Sequence, residues 1–333
     1  MSRGLRATAA LALALLAESP ALANDTSAEL GAGGLVYARS DVVSIASETL
    51  FLSMDKVSVD YVFQNHADHD VETVVAFPMP DIELGPDANI AIPQMDDNFL
   101  GFSVVADGQA IRPQLQQRAY AAGVDVTDVL EAAGLPVSPL AYYNGDMKLA
   151  ELPQETLADM VSRGIFMADT DAASGRYVDP IEPAWTLKSA YWWRMTFPAN
   201  ADLAVHHDYT PSVGGTVGVY FMDNAETAAD YAHRYCTDAS FVRGIEKRQK
   251  AAVAKGGYGY QERWLSYVLT TGGNWAGSIG HFRLIIDKGS TDNLVSFCGD
   301  GVKKTGPTRF EMEKTDFWPT RDLDILFAVS VDQ

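Results

Sequence analysis

Two short clusters in this sequence bring imidazole and carboxylate groups together. His66, Asp68, His69 and Asp70 fall in one polar run. Imidazole nitrogens and carboxylate oxygens are ligands for divalent ions, and the His66/His69 spacing suits one. The same composition also makes a solvated turn. The second cluster is His206-His207-Asp208. A metal-assisted hydrolase would draw on His207 and Asp208, or on the His66/His69 loop. If 206–208 lie on a strand, neighbouring side chains leave opposite faces. The two histidines then cannot line one site without a bulge: one packs or bonds internally and the other meets solvent.

A third group is aromatic. Trp275, beside Asn274, sits in the glycine-bearing loop Asn274-Trp275-Ala276-Gly277-Ser278-Ile279-Gly280. It is either a plug between sheets, the favoured reading, or an exposed contact. Trp192 and Trp193 pose the same question, since one of two adjacent strand residues faces away from the core. An exposed tryptophan anchors carbohydrate or protein well. Trp275, Asn274, Trp192, Trp193, His207 and Asp208 together form the candidate binding surface. Familiar catalytic motifs are missing. There is no Gly-x-Ser-x-Gly elbow, and Gly256-Gly257-Tyr258-Gly259 lacks the lysine of a phosphate loop. These motifs assign no reaction and imply no cofactor.

The elements that would position these groups lie outside the cytosol. Arg3 and Arg6 precede the apolar run Ala7–Ala17, which ends in Ser19-Pro20-Ala21-Leu22-Ala23. That is the pattern of a cleaved leader over 1–23, with Asn24 as the mature start, in the periplasm or secreted. No later stretch is long and apolar enough to span a bilayer. The chain carries 25 basic and 44 acidic residues, a net of −19. Such a surface repels nucleic acid phosphates and anionic lipid. The two cysteines, Cys236 and Cys298, are expected to form one disulfide in an oxidising compartment.

Period-two alternation dominates the rest. Val57, Val59, Tyr61 and Phe63 alternate with Ser58, Asp60, Val62 and Gln64, which predicts a half-buried strand. Val71 to Phe77 returns as its neighbour, and Trp192–Phe197 and Val205–Tyr209 continue the pattern. Three helical patches interrupt it. Asp125 or Thr127 caps a helix stopped by Gly134, a second starts near Pro153, and Asn224 opens a helical excursion over 225–254. The expected fold is mainly β: a sandwich-like antiparallel domain at 24–120, a mainly helical insertion at 121–180 with a loop-like tail from Asp169 to Asp179, and a second sandwich-like domain at 181–333.

Several stretches together resemble the bacterial domain-of-unknown-function 4424 family. They are the opening Asn24-Asp25-Thr26-Ser27-Ala28-Glu29-Leu30, the run Val75-Ala76-Phe77-Pro78-Met79-Pro80-Asp81-Ile82, Thr196-Phe197-Pro198-Ala199, His207-Asp208-Tyr209-Thr210-Pro211, Tyr267 to Gly280, Asp287-Lys288-Gly289 and Phe317-Trp318-Pro319. The likeness spans the mature chain. It implies an exported bacterial protein and carries over no catalytic residues. The expectation is a periplasmic, non-catalytic binding or envelope-associated protein with a protein or carbohydrate partner. The alternatives are the metal-assisted hydrolase and an accessory subunit docking through 121–180.

Overall fold

A computed structural model places the strands in four sheets. It describes residues 25–31, 34–79, 81–83, 98–143, 145–254, 256–257 and 259–331. The leader expected at 1–23 and the start at Asn24 lie outside the described residues, as does Pro80 of the Phe-Pro-Met-Pro run.

The largest sheet has eight strands. Its order is β19 (Lys303–Lys304), β20 (Arg309–Phe317), β17 (Ile279–Asp287), β3 (Val43–Leu52), β4 (Val57–Asn65), β14 (Asp202–Tyr209), β7 (Ser103–Ala106) and β8 (Gln109–Ile111). Strands from both ends of the chain share this wall. They meet where β3 pairs parallel to β17, His281 opposite Ser47; the other paired strands described are antiparallel. Two smaller sheets cover the inner face of the wall. One runs β10 (Val124–Asp125), β9 (Gln114–Ala121), β13 (Thr186–Phe197), β5 (Val71–Pro78), β1 (Thr26–Gly31) and β2 (Gly34–Tyr37), with β6 (Ile82–Glu83) also on β13. The other runs β15 (Gly214–Gly215), β16 (Gly259–Tyr267), β21 (Leu323–Val331) and β18 (Leu294–Phe297). One continuous apolar core fills the space, from Val59, Phe63, Phe77 and Trp193 to Tyr267, Leu284 and Phe327. The fold is mainly β.

Alternation explains which side chains enter that core. Along β4, Val57, Val59, Tyr61 and Phe63 are buried and Asp60 is exposed. β3 begins with Val43 and Ile45 inward, then shifts register between Ile45 and Ser47. A bulge of this kind reverses the parity of the residues beyond it. Glu48, Leu50 and Leu52 therefore point inward, and the carboxylate of Glu48 is fully buried. The bulge is possible because Gly280 of β17 lies against it. A Cβ there would stand 2.6 Å from the Ala46 carbonyl oxygen, well inside contact distance.

The helical segments have cores of their own. α1 (Thr127–Ala132), α2 (Leu140–Tyr143) and α3 (Gln154–Ser162) gather around Trp185, whose Nε1 donates to the Val137 carbonyl at 2.9 Å. The tail expected to be a loop is instead a hairpin of β11 (Phe166–Thr170) and β12 (Tyr177–Pro183). Phe166 and Ile181 bury into the helical core, which stabilises the pairing that local composition disfavours. Asp171 closes the turn, its Oδ1 accepting from Ser174 N at 2.8 Å. In the last third, α4 (Ala225–Tyr235) is capped by Asn224, which accepts from Thr227 N at 2.8 Å. α5 (Ala239–Val253) is capped by Asp238. Cys236, just past α4, is disulfide-bonded to Cys298 beyond β18, tying α4 to the sheet it covers.

Candidate functional site

The strand β14 separates its two histidines as strand geometry requires. His207 points inward, with no exposed surface, and Asp25, next to β1, is equally buried. His207 Nε2 lies 3.2 Å from Asp25 Oδ2, an electrostatic contact rather than a well-aligned hydrogen bond. Four rings enclose the imidazole: Phe102, Trp193, Tyr61 and Phe77, with centroids at 5.1, 5.5, 5.6 and 5.7 Å and all roughly edge-on. The loop after the 3₁₀ turn Thr270–Asn274 closes the other end. Trp275 Nε1 donates to the Asp25 carbonyl at 3.1 Å, and Asn274 Nδ2 donates to Thr26 Oγ1 at 2.8 Å. Burial pushes the Asp25 carboxyl above its usual range, against the pull of His207. Nearby, the hydroxyls of Tyr61 and Tyr267 stand 3.3 Å apart. Burial drives both phenols well above 10, and the Glu48 carboxylate adds to the rise.

This interior has the composition of a catalytic dyad without its access. A general base must come within about 3 Å of the proton it takes. The imidazole has no exposed surface and is walled by aromatic rings, so no substrate reaches it in this structure.

His206 occupies the outer face of the same strand. Its Nδ1 is 2.7 Å from Asp60 Oδ1 and its Nε2 is 3.1 Å from Asp208 Oδ2. Lys56 Nζ adds a contact to Asp208 at 2.8 Å. Partial burial lowers the His206 pKa, but the hydrogen bonds to Asp60 and Asp208 outweigh it, and the net shift is upward. Asp208 moves the other way: partial burial raises its pKa, yet Lys56, Ser58 and His206 hold it below the usual carboxylate value. Both ring nitrogens of His206 are engaged by carboxylates. His207 and Asp208, named together from sequence, face opposite sides of the sheet.

The other sequence-derived residues also resolve into places. His66 Nε2 pairs with Ser44 Oγ at 2.7 Å, His69 Nδ1 with Asp68 Oδ1 at 3.0 Å, and Asp70 Oδ1 accepts from Ala199 N at 2.9 Å. Asn65 organises this loop from within. Its Nδ2 donates to the carbonyls of His69 and Phe197, both at 2.9 Å, and its Oδ1 accepts from Ala67 N. Among the described residues no group of three or more His, Cys, Asp or Glu gathers to hold a metal ion. Trp275 and Trp193 are buried in the main core. Trp192 is half-buried on the outer face of its sheet and, like Leu35, packs against the cluster of Ala28, Val74 and Ala76.

One feature was not singled out from sequence. Leu35 N donates to Gln116 Oε1 at 3.2 Å, so the β1–β2 hairpin folds back over the outer face of β9 and β13. A cleft of about 270 Å³ lies beneath it. Its walls include Leu35 and Tyr37 from the hairpin, Arg118 and Tyr120 from β9, Lys188 from β13, and Asp81. Lys188 Nζ contacts Asp81 Oδ2 at 2.7 Å and lies 5.9 Å from the Tyr120 ring centre. Arg118 Nη1 is 3.5 Å from Asp125 Oδ2. Burial and the Asp81 carboxylate push the Tyr37 phenol up to about 12. These groups are remote in sequence: the pairing register between β9 and β13 sets Arg118 beside Lys188, and the hairpin brings Leu35 and Tyr37 over them.

Among the described residues no helix is long and apolar enough to cross a membrane. The family described as "Domain of unknown function (DUF4424)" matches residues 23–326. No curated protein matches the sequence. A crystal structure from Legionella pneumophila subsp. pneumophila str. Philadelphia 1, described as a "putative nutrient binding protein", is similar at 16% identity and a TM-score of 0.42, covering 92% of this chain and 70% of that one.

Proposed function

We propose, for a chain that belongs to the family described as Domain of unknown function (DUF4424), the role of an exported, non-catalytic binding protein of the bacterial envelope. The observation that carries this reading is the contrast in access. The acid–base pair Asp25–His207 is sealed in the core, while the cleft under the β1–β2 hairpin is lined by charged, polar and apolar side chains on the outer face of a sheet. A binding site needs a concave surface with a few placed polar groups; a catalytic site also needs its reactive groups within reach of substrate. Export is supported by the leader pattern over 1–23 and by the Cys236–Cys298 bond, which suits an oxidising compartment. The hydrolase alternative asks His207 and Asp208 to share a site, and they project from opposite faces of β14; its other candidate, the His66/His69 loop, has His66 on Ser44 and His69 on Asp68.

The test is native mass spectrometry of the protein recovered from the envelope fraction without denaturation. The expected result is a chain starting at Asn24 that carries a small molecule, released on unfolding. The reading fails if no small molecule co-purifies and a hydrolase-substrate screen instead finds turnover that is lost in His207→Gln.

A further inference from the structure

We infer that the cleft beneath the β1–β2 hairpin binds a small organic carboxylate; this deepens, and rests on, the binding role proposed above. Lys188 of β13 is paired directly opposite Arg118 of β9, and both line the cleft. Like charges directly opposed on one face of a sheet repel and destabilise the pairing. Two cations so placed, in a chain of net charge −19, have a local purpose if an anion sits between them.

Their existing partners leave that position open. Lys188 is held at its side by Asp81 at 2.7 Å. Arg118 makes one contact of 3.5 Å to Asp125, and among the described residues its other guanidinium N–H groups meet no acceptor. The guanidinium fork matches a carboxylate through two parallel hydrogen bonds. Arg118, Lys188 and Asp81 are the charged groups lining the cleft, and Asp125 meets Arg118 from outside the lining, so two cations face two carboxylates. With no surplus of charge and one guanidinium fork only partly filled, the site fits a monoanion better than a doubly charged phosphate. The rest of the lining fits an organic body: Leu35 and Met79 are apolar, and Tyr37 and Tyr120 supply rings with hydroxyl tips. The volume of about 270 Å³ is just below the usual span for drug-sized ligands, about 300–1,000 Å³, so the ligand is a small metabolite and not a polymer.

The experiment is isothermal titration calorimetry of the chain from Asn24 onward. The panel holds short aliphatic, hydroxylated and aromatic monocarboxylates, the primary amide of each, and inorganic phosphate. The expected result is binding of at least one carboxylate, with its amide weaker by about tenfold or more. Arg118→Gln and Lys188→Met, each with an unchanged melting temperature, weaken the same carboxylate by about tenfold or more. Arg118→Lys restores only part of the loss, because charge returns without the fork. The inference is overturned if no carboxylate binds more tightly than about 1 mM, if an amide or phosphate binds as tightly as the best carboxylate, or if both folded variants bind it undiminished. Should the variants fail to fold, the acid-against-amide comparison on the unaltered protein still decides. A neutral molecule found in the native mass spectrum removes the carboxylate and leaves the binding role standing. Turnover by His207 removes the binding role itself.

Discussion

His206 and His207 are adjacent, each faces an aspartate, and the two pairs live under different electrostatic rules. The outer pair, His206 with Asp60, closes to 2.7 Å in partial contact with solvent. The inner pair, His207 with Asp25, stands at 3.2 Å with neither side chain exposed. Coulomb energy at a fixed distance depends on the surrounding dielectric. The shorter contact is therefore the weaker contributor, and the longer one carries the larger penalty if a partner is removed. Proximity alone is a poor guide to importance; access to water decides.

The largest expected effect lies inside. Asp25→Ala strips His207 of its carboxylate and leaves the backbone contacts at the start of β1 in place. Breaking a buried pair by deleting one member costs about 3–5 kcal/mol. Denaturant unfolding of this variant is expected to show a loss in that range. A loss below about 1 kcal/mol would place the inner pair in the same class as the outer one and dissolve the comparison. A smaller effect is expected at the seal. Trp275→Phe keeps an aromatic ring in the core but removes the donor to the Asp25 carbonyl. Leaving one buried acceptor unsatisfied costs about 1–3 kcal/mol, read by the same unfolding midpoint. An unchanged midpoint would mean that the indole N–H does not help to close the interior.

The smallest effect in stability is at the outer pair. Asp60→Ala is expected to cost no more than about 1 kcal/mol, as exposed ion pairs do. Its sharper readout is titration. The folded-state pKa of His206 is raised, by Asp60 and Asp208 acting against partial burial. A raised histidine contributes stability below its unfolded value, near 6.5, and loses it as pH rises through the folded value. NMR titration of the ring protons is expected to show a pKa above 6.5 in the parent and a lower one in Asp60→Ala. Identical curves would show that Asp60 does not hold the ring.

The sequence announced the strands and their faces more clearly than it announced the cleft. Alternation along Val57–Gln64 and Trp192–Phe197 is a local signal, and it put Trp192 and Trp193 on opposite faces without saying which one faces the core; Trp193 does. The same period-two logic separated His206 from His207. Asn224 declared the start of α4 because a cap acts on residues only a few positions away. Asp25 gave no such signal. Its partners, His207 and Trp275, are far along the chain, and nothing near Asp25 distinguishes it from an exposed acid. Glu48 was hidden for a different reason: the bulge before Ser47 reverses the parity that alternation would assign to it. Arg118 and Lys188 become neighbours only through the β9–β13 register, which depends on how two distant strands align and not on either strand alone. The hairpin at 166–183 was missed because its polar turn masked strands that are held in place by burial against the insertion's helices.

The parallel bond between β3 and β17 has a bearing on how this protein is made. β3 ends at Leu52 and its neighbour begins at Ile279, so on the ribosome the early strand waits, with one edge unclosed, until most of the polypeptide has emerged. Pairings between segments so remote form slowly, because a long loop must close before the contact contributes. A chain cut short before residue 279 leaves that edge without its neighbour, and an open strand edge is a template for aggregation. The same delay keeps the nascent polypeptide unfolded for longer, the state that the export proposed above requires.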